Sequence, residues 1–155
     1  MARPIPDKSR LLQAIAAHVL EHGLNTASLR PMAAAAGTSD RMLIYHFGSK
    51  DDLIADLLAF LASDMAAKLD VALPPEPAET EAILVRQIMA LMRSDAVRPY
   101  IRLWFDILSA AAQGSAVHEQ SAKAIIDLYL NWIGQRHPDG MGGPGRVLVL
   151  IEGML

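Results

Sequence analysis

Apolar residues recur every three or four positions along most of the chain and hardly anywhere on alternate positions. Leu11, Leu12, Ile15, Val19 and Leu20 trace one stripe and predict a helix from about Asp7 to His22, ended by Gly23. Leu53, Leu57, Phe60, Leu61, Met65 and Leu69 trace a longer one, opening at Ser49 and running to about Val71. The stretch LPPEPAET (73–80) reads as a linker, because its prolines stop the helix and fix an extended turn. Ile83, Leu84, Ile88, Leu91 and Met92 predict the next helix, about Glu79 to Arg93, and Asp95 to Pro99 interrupts it. Tyr100 to about Gln113 is apolar on several sides (Ile101, Leu103, Trp104, Phe105, Ile107, Leu108), so this helix is expected to be central. Gly114 and Ser115 turn the chain into a helix of about Ala116 to Arg136, carrying Ile125, Ile126, Leu128, Tyr129, Trp132 and Ile133. HPDGMGGPG (137–145) is a loop, lacking the preceding strand and following Lys-Ser/Thr pair of a phosphate cradle. RVLVLIEGML then begins another apolar helix.

Between the first two stripes lies SLRPMAAAAGTSDRMLIYHFGSKDDL, Ser28 to Leu53. Ser28 is placed to cap a short helix, and Pro31 falls in its first turn, where a missing N–H costs nothing. Met32, Ala33 and Ala36 give that helix a narrow face against which another helix can lie close. Gly37 supplies the left-handed ending, and Ser39 caps a second short helix of about Asp40 to His46. Leu43 and Phe47, four apart, would be buried, leaving Thr38, Asp40, Arg41, Met42, Tyr45 and His46 largely turned outward. Gly48 breaks this helix. Ser49 with Asp52 resembles a capping box, and Asp51 and Asp52 suit the positive end of the helix dipole. Two short helices across a Gly turn, the second with a polar outer face, make the helix-turn-helix plan.

AAxAGTSxxxLxYHFxSKxDL, with the alanines before Gly37, the Tyr45–Phe47 triplet and the Ser49-Lys50 pair, resembles the DNA-binding domain of the TetR/AcrR family of bacterial transcriptional regulators. The likeness covers roughly Ser9 to Leu61. Arg41 stands where that family usually has a small residue, Met42 where Thr or Ser is common, and Ile44 where Tyr is frequent. The resemblance implies an all-α protein: a three-helix helix-turn-helix domain over residues 1–53, joined through helix 50–71 to a helical ligand-binding and dimerisation domain over 54–155. It implies a homodimer on a near-palindromic double-stranded operator and release by a small-molecule effector, with no cofactor or metal. DNA contacts would fall to Ser28, Arg30, Thr38, Ser39, Asp40, Arg41, Met42, Tyr45, His46 and Lys50. Arg41 suits a bidentate contact with a guanine edge, and Lys50 with the first turn of its helix suits a phosphate. In the family the last two long helices pair with a partner's. Only the first is expected within these 155 residues.

Composition agrees with helices: 52% of residues are apolar but only 5% aromatic, so strand-forming runs are scarce. The net charge of −3 is not that of a general nucleic-acid binder. Residues 1–53 hold six Lys/Arg against five Asp/Glu, and 54–155 hold eight against twelve, so the head is at +1 and the body at −4. The sign suits a DNA-reading head, but the motif and not the charge carries that reading. Arg3, in the Pro4- and Pro6-containing N-terminal arm, could reach a groove. The chain has no cysteine, no signal-peptide core and no apolar run long enough to span a bilayer, so a cytoplasmic location is expected.

No serine sits in a nucleophile elbow and no carboxylates cluster at metal-ligand spacing, so the chain does not read as an enzyme. His18 and His22, four apart, have metal-binding spacing but no further ligands nearby. Met89, Met92, Tyr100, Trp104, Tyr129 and Trp132 could line an apolar cavity, with Arg102, Asp106 or His118 as polar anchors. The same positions also fit plain core packing, and the resemblance favours the cavity. The function expected is a ligand-responsive DNA-binding regulator, most simply a repressor. The alternative is a helical small-molecule sensor or carrier that has lost DNA binding.

Overall fold

A computed structural model describes residues 7–24 and 27–154. The N-terminal arm with Arg3, and part of the link from Leu24 to Ala27, lie outside them. The described residues form eight α-helices and no strand. They are α1 (Lys8–His22), α2 (Leu29–Ala35), α3 (Asp40–Phe47), α4 (Lys50–Ala72), α5 (Glu81–Met92), α6 (Arg98–Ala112), α7 (Ala116–Gly134) and α8 (Pro144–Glu152).

Helices of seven and eight residues, as α2 and α3 are, do not hold together alone in water. Burial fixes them: Met32 and Ala33 of α2, and Leu43 and Phe47 of α3, pack with Leu11, Ile15 and Val19 of α1 and Leu53 and Leu57 of α4. Lys8 adds a polar brace, pairing with Asp56 at 2.7 Å while its ammonium sits 4.8 Å from the centre of the Phe47 ring. The same core continues without a break into Leu103 and Ile107 of α6 and Ile125 of α7. A second core joins Leu69, near the end of α4, to Leu84, Ile88 and Met92 of α5, Trp132 and Ile133 of α7, and Val147 and Ile151 of α8. Met65 and Tyr129 pack against both.

Several helix ends differ from the sequence expectation, each for a local reason. Helix α5 starts at Glu81 because the Thr80 hydroxyl accepts from the Ile83 N–H at 3.2 Å. Helix α6 opens at Arg98, with Pro99 inside its first turn and not in the interruption. The loop 137–145 contains a short 3₁₀ turn, Gly140–Gly142, and gives way to α8 at Pro144. Burial differs in places too. Ile83 and Leu91 are only half-buried, whereas Met89 is buried. Helix α6 is not enclosed on all sides: Phe105 is 51% exposed and Leu108 is exposed beside it.

Arg136, two residues past the end of α7, holds the 73–80 linker. Its side chain is wholly buried, with Nε and Nη2 donating to the Leu73 carbonyl at 3.0 and 2.8 Å and Nη1 to the Trp132 carbonyl at 2.9 Å. Nη2 also reaches Asp70 Oδ1 at 2.6 Å, and the guanidinium stacks 3.8 Å from the centre of the Trp132 ring. The Ala78 N–H donates to the Arg136 carbonyl at 2.9 Å. Next to it, His137 Nδ1 accepts from the Asp139 N–H at 3.0 Å, so Nε2 carries the hydrogen and donates to Glu81 Oε2 at 3.1 Å. Arg146 pairs with the same oxygen at 2.9 Å, and Arg146 first, then His137, holds the Glu81 carboxyl below its ordinary range.

Gly143 meets this network at its tightest point, since a Cβ there would lie 2.2 Å from the His137 ring. Gly143→Ala is expected to cost about 1–3 kcal/mol, as the enclosed ring has to move. Asp70→Ala, which leaves the buried guanidinium with carbonyl partners only, is expected to cost about 1–2 kcal/mol, the exposure of Asp70 softening the loss. Urea unfolding of each variant against the unaltered chain measures both.

Candidate nucleic-acid interface and body cavity

The outer face of α3 is set by its two ends and its roll. Gly37, at φ +63°, closes α2, with its own N–H on the Ala34 carbonyl at 3.1 Å and that of Thr38 on Ala33 at 2.9 Å. The Ser39 hydroxyl accepts from the Met42 N–H at 3.3 Å and starts α3, and Gly48, at φ +93°, stops it. With Leu43 and Phe47 buried, Asp40, Arg41 and Tyr45 must face outward. Tyr45 is 76% exposed, and Arg41 has no ion pair among the described residues.

The other candidates surround that face unequally. Ser28, Arg30, Ser39 and Lys50 are exposed, whereas Thr38 and Met42 are half-buried. Ser28 occupies the N-cap position of α2, but its hydroxyl makes no capping bond. His46 is set further in than the sequence suggests: it is half-buried, and its Nε2 is sealed from solvent with no partner among the described residues.

At the start of α4 the Ser49 hydroxyl accepts from the Asp52 N–H at 3.0 Å and donates to the Asp52 carboxylate at 2.6 Å. A true capping box returns the acidic side chain to the backbone N–H of the capping residue; the shorter Asp side chain reaches the hydroxyl instead. The Lys50 and Asp51 amides are left without an acceptor among the described residues. His118 of α7 lies against this end. Burial pushes its imidazole below the ordinary value, the Asp51 carboxylate raises it and Lys50 lowers it further.

A cavity of about 110 Å³ lies between α4, α6, α7 and α8, with Met92 and Ile88 of α5 at one side. Met92, Tyr100, Trp104, Tyr129 and Trp132 line it; Met89 is buried one residue round α5 and does not. The polar heads of three lining residues all turn to α4. Tyr100 donates to Asp64, Tyr129 to the Ala62 carbonyl at 3.3 Å, and Trp132 Nε1 to Asp70 at 2.8 Å. Burial raises Asp64, but hydrogen bonds from Lys68 and Tyr100 outweigh it and the net displacement is downward. Burial, and then the neighbouring Tyr100, pushes the Tyr129 hydroxyl far up, so it stays protonated and remains a donor. Asp64 and Asp70 were not singled out from the sequence. The signal available was two carboxylates six apart in a helix whose inner face is otherwise apolar.

Arg102 and Asp106 are not cavity anchors. They stand on α6 and clamp the end of α1: Arg102 Nη2 donates to the Leu20 and Glu21 carbonyls, the latter at 3.1 Å, and Asp106 Oδ2 accepts from the Leu24 N–H at 3.1 Å. His118 bonds Ser115 Oγ at 2.6 Å and is likewise outside the cavity lining. The His18 and His22 rings stack with centres 4.5 Å apart, and His22 Nδ1 lies 3.0 Å from the His18 carbonyl. Among the described residues no three His, Cys, Asp or Glu side chains are grouped to hold a metal, and no helix is long and apolar enough to cross a membrane.

A short helix presented across a Gly turn, ahead of a helical body, is the helix-turn-helix plan. Residues 11–57 match the family described as bacterial regulatory proteins, tetR family, so this part of the chain is a TetR-type helix-turn-helix. A crystal structure of the multidrug binding protein EbrR complexed with proflavin superposes with a TM-score of 0.71 at 20% identity, over 95% of this chain and 85% of that one. A transcriptional regulator from Rhodococcus sp. Rha1 gives 0.73 at 20% identity, over 96% and 81%. EbrR complexed with imidazole gives 0.69 at 22%, over 99% and 80%. At these identities the likeness is one of fold. No curated protein matches the sequence.

Asp106→Ala removes the acceptor that holds the Leu24 amide. Hydrogen exchange at that amide is expected to speed up at least tenfold, with stability falling by about 1–2 kcal/mol. Residue-resolved exchange measured by NMR decides it; unchanged protection of Leu24 would mean the clamp does not hold in solution.

Proposed function

We propose that the protein is a ligand-responsive DNA-binding transcriptional regulator, a repressor released from its operator by a small apolar ligand, and not an enzyme. The observation that carries this reading is the outer face of α3, where Tyr45 stands exposed and Arg41 stands exposed with no ion pair among the described residues, on a helix whose other face is locked into the core. Residues 1–53 serve as the reading head and 54–155 as the ligand-binding and dimerisation body. Helix α3 enters the major groove. Arg41 takes a guanine edge, and Thr38, Met42 and the exposed part of His46 add weaker contacts. Ser39 and Asp40 lie at the groove end of α3, while Ser28, Arg30, Tyr45 and Lys50 hold phosphates.

One helix of eight residues reads too few bases, so the functional unit is a homodimer with two α3 helices about 34 Å apart on a near-palindromic site. Val149, Leu150 and Met154 stand exposed on and just after α8 and support an apolar contact with a second copy. The likeness in fold to EbrR, a protein seen with proflavin in place, supports ligand binding in the body. Coupling follows from the hydrogen bonds of Tyr100, Tyr129 and Trp132 to α4. A ligand that displaces these rings pulls on the helix whose other end carries the head, which is a two-site coupling through one shared element.

A gel-shift titration with the promoter region beside its own gene tests the reading, and no shift at low salt would favour a sensor that does not bind DNA. Arg41→Ala is expected to lose about 1–3 kcal/mol of discrimination at one base position. Lys50→Ala is expected to weaken all sequences alike and lower the salt slope by about one. Fluorescence anisotropy against operator variants at several salt concentrations separates the two effects.

A further inference from the structure

Met42 is an apolar side chain in the first turn of α3, on a face that Asp40, Arg41, Tyr45 and His46 otherwise make polar. Its N–H is held by the Ser39 hydroxyl at 3.3 Å, which fixes where the side chain starts. It is half-buried, yet among the described residues it packs against neither of the two apolar cores. A thioether has no hydrogen to donate and accepts only weakly, so it cannot read the donors and acceptors of a base edge. Laid over such an edge, it would strip water from polar atoms and return no hydrogen bond. The major groove does offer one apolar group, the C5 methyl of thymine. Arg41, directly before Met42, is exposed and suited to a guanine edge. Successive Cα atoms are about 3.8 Å apart, close to the roughly 3.4 Å step along DNA, so the two side chains meet the same or adjoining base pairs.

We propose that Met42 is a specificity-determining residue that packs on a thymine methyl within one base pair of the position Arg41 reads. This rests on the reading of α3 as a major-groove helix. The contact selects thymine in two ways: it buries the methyl, and it leaves the polar edge of any other base dehydrated without a partner. One buried methyl is worth about fourfold in affinity, and about fifteenfold when both half-sites of a dimer's operator lose it.

Duplexes that bind the full chain are selected from a random-sequence pool. Each thymine of the enriched site is then replaced in turn by deoxyuridine, which removes the methyl and keeps every hydrogen bond. Fluorescence anisotropy is expected to show one thymine per half-site whose replacement weakens binding about fourfold, next to the base whose preference Arg41→Ala abolishes. In Met42→Ala the thymine and uracil duplexes are expected to bind alike, and Met42→Leu, still apolar, is expected to keep the difference. Thermal melts confirm that both variants are folded, and the thymine–uracil comparison on the unaltered chain needs neither. Replacement costing less than about 1.5-fold at every thymine overturns the proposal. So does a methyl effect that persists in Met42→Ala, or one more than a base pair from the position Arg41 reads. In each of those cases DNA binding itself stands. If no sequence is enriched from the pool, the DNA-binding reading falls and the proposal with it.

Discussion

Tyr100, Tyr129 and Trp132 all donate hydrogen bonds to α4, and α4 is also the helix on which the helix-turn-helix is built. At 23 residues it is about 35 Å long, enough to take part in two cores at once. Leu53 and Leu57 pack with α1, α2 and α3, and Leu69 packs with α5, α7 and α8. A rigid rod buried at both ends cannot shift at one end alone. The orientation of α3 therefore depends on how the body packs, and the cavity sits where that packing is least complete.

Around this rod the protein uses polar contacts as position markers. Arg102 and Asp106 fasten the end of α1 to α6, so the head meets the body at a second point besides α4. Arg136 straps the 73–80 segment to α7, and His137, Glu81 and Arg146 tie α5 to α8. A fully buried guanidinium is weak as a source of stability, because desolvation offsets much of its pairing. Its geometry is specific, however. Asp70 and the Leu73 carbonyl stand together at the end of α4, and the guanidinium binds both, which ties that end of α4 to the end of α7.

Much of this was legible in advance. The apolar stripes located the helices because a helix that buries one face must repeat its apolar residues at 3.6. Gly37, Ser39, Gly48 and Ser49 marked the short helices because backbone geometry and capping are local matters, and the structure places their turns and caps at those residues. Five of the six cavity candidates lie on one cavity for the same reason: aromatic residues at helical spacing share a face. What was not legible involves partners far apart in the chain. Arg102 and Asp106 read as ligand anchors, since nothing nearby reveals that Leu20, Glu21 and Leu24 would meet them, some eighty positions away. Helix α6 read as central, but only packing could leave Phe105 and Leu108 outside.

The sequence by itself determined the helical class, the helix-turn-helix and the outward position of Asp40, Arg41 and Tyr45 on its second helix. Those features follow from periodicity, capping and turn chemistry within a few residues. Tertiary structure decided that α4 takes the hydrogens of Tyr100, Tyr129 and Trp132 and that α6 grips the end of α1. Each of these turns on where a hydrogen-bonding group finds its partner. A buried donor has to be satisfied by whatever the fold brings within about 3 Å, and distance along the chain says nothing about that.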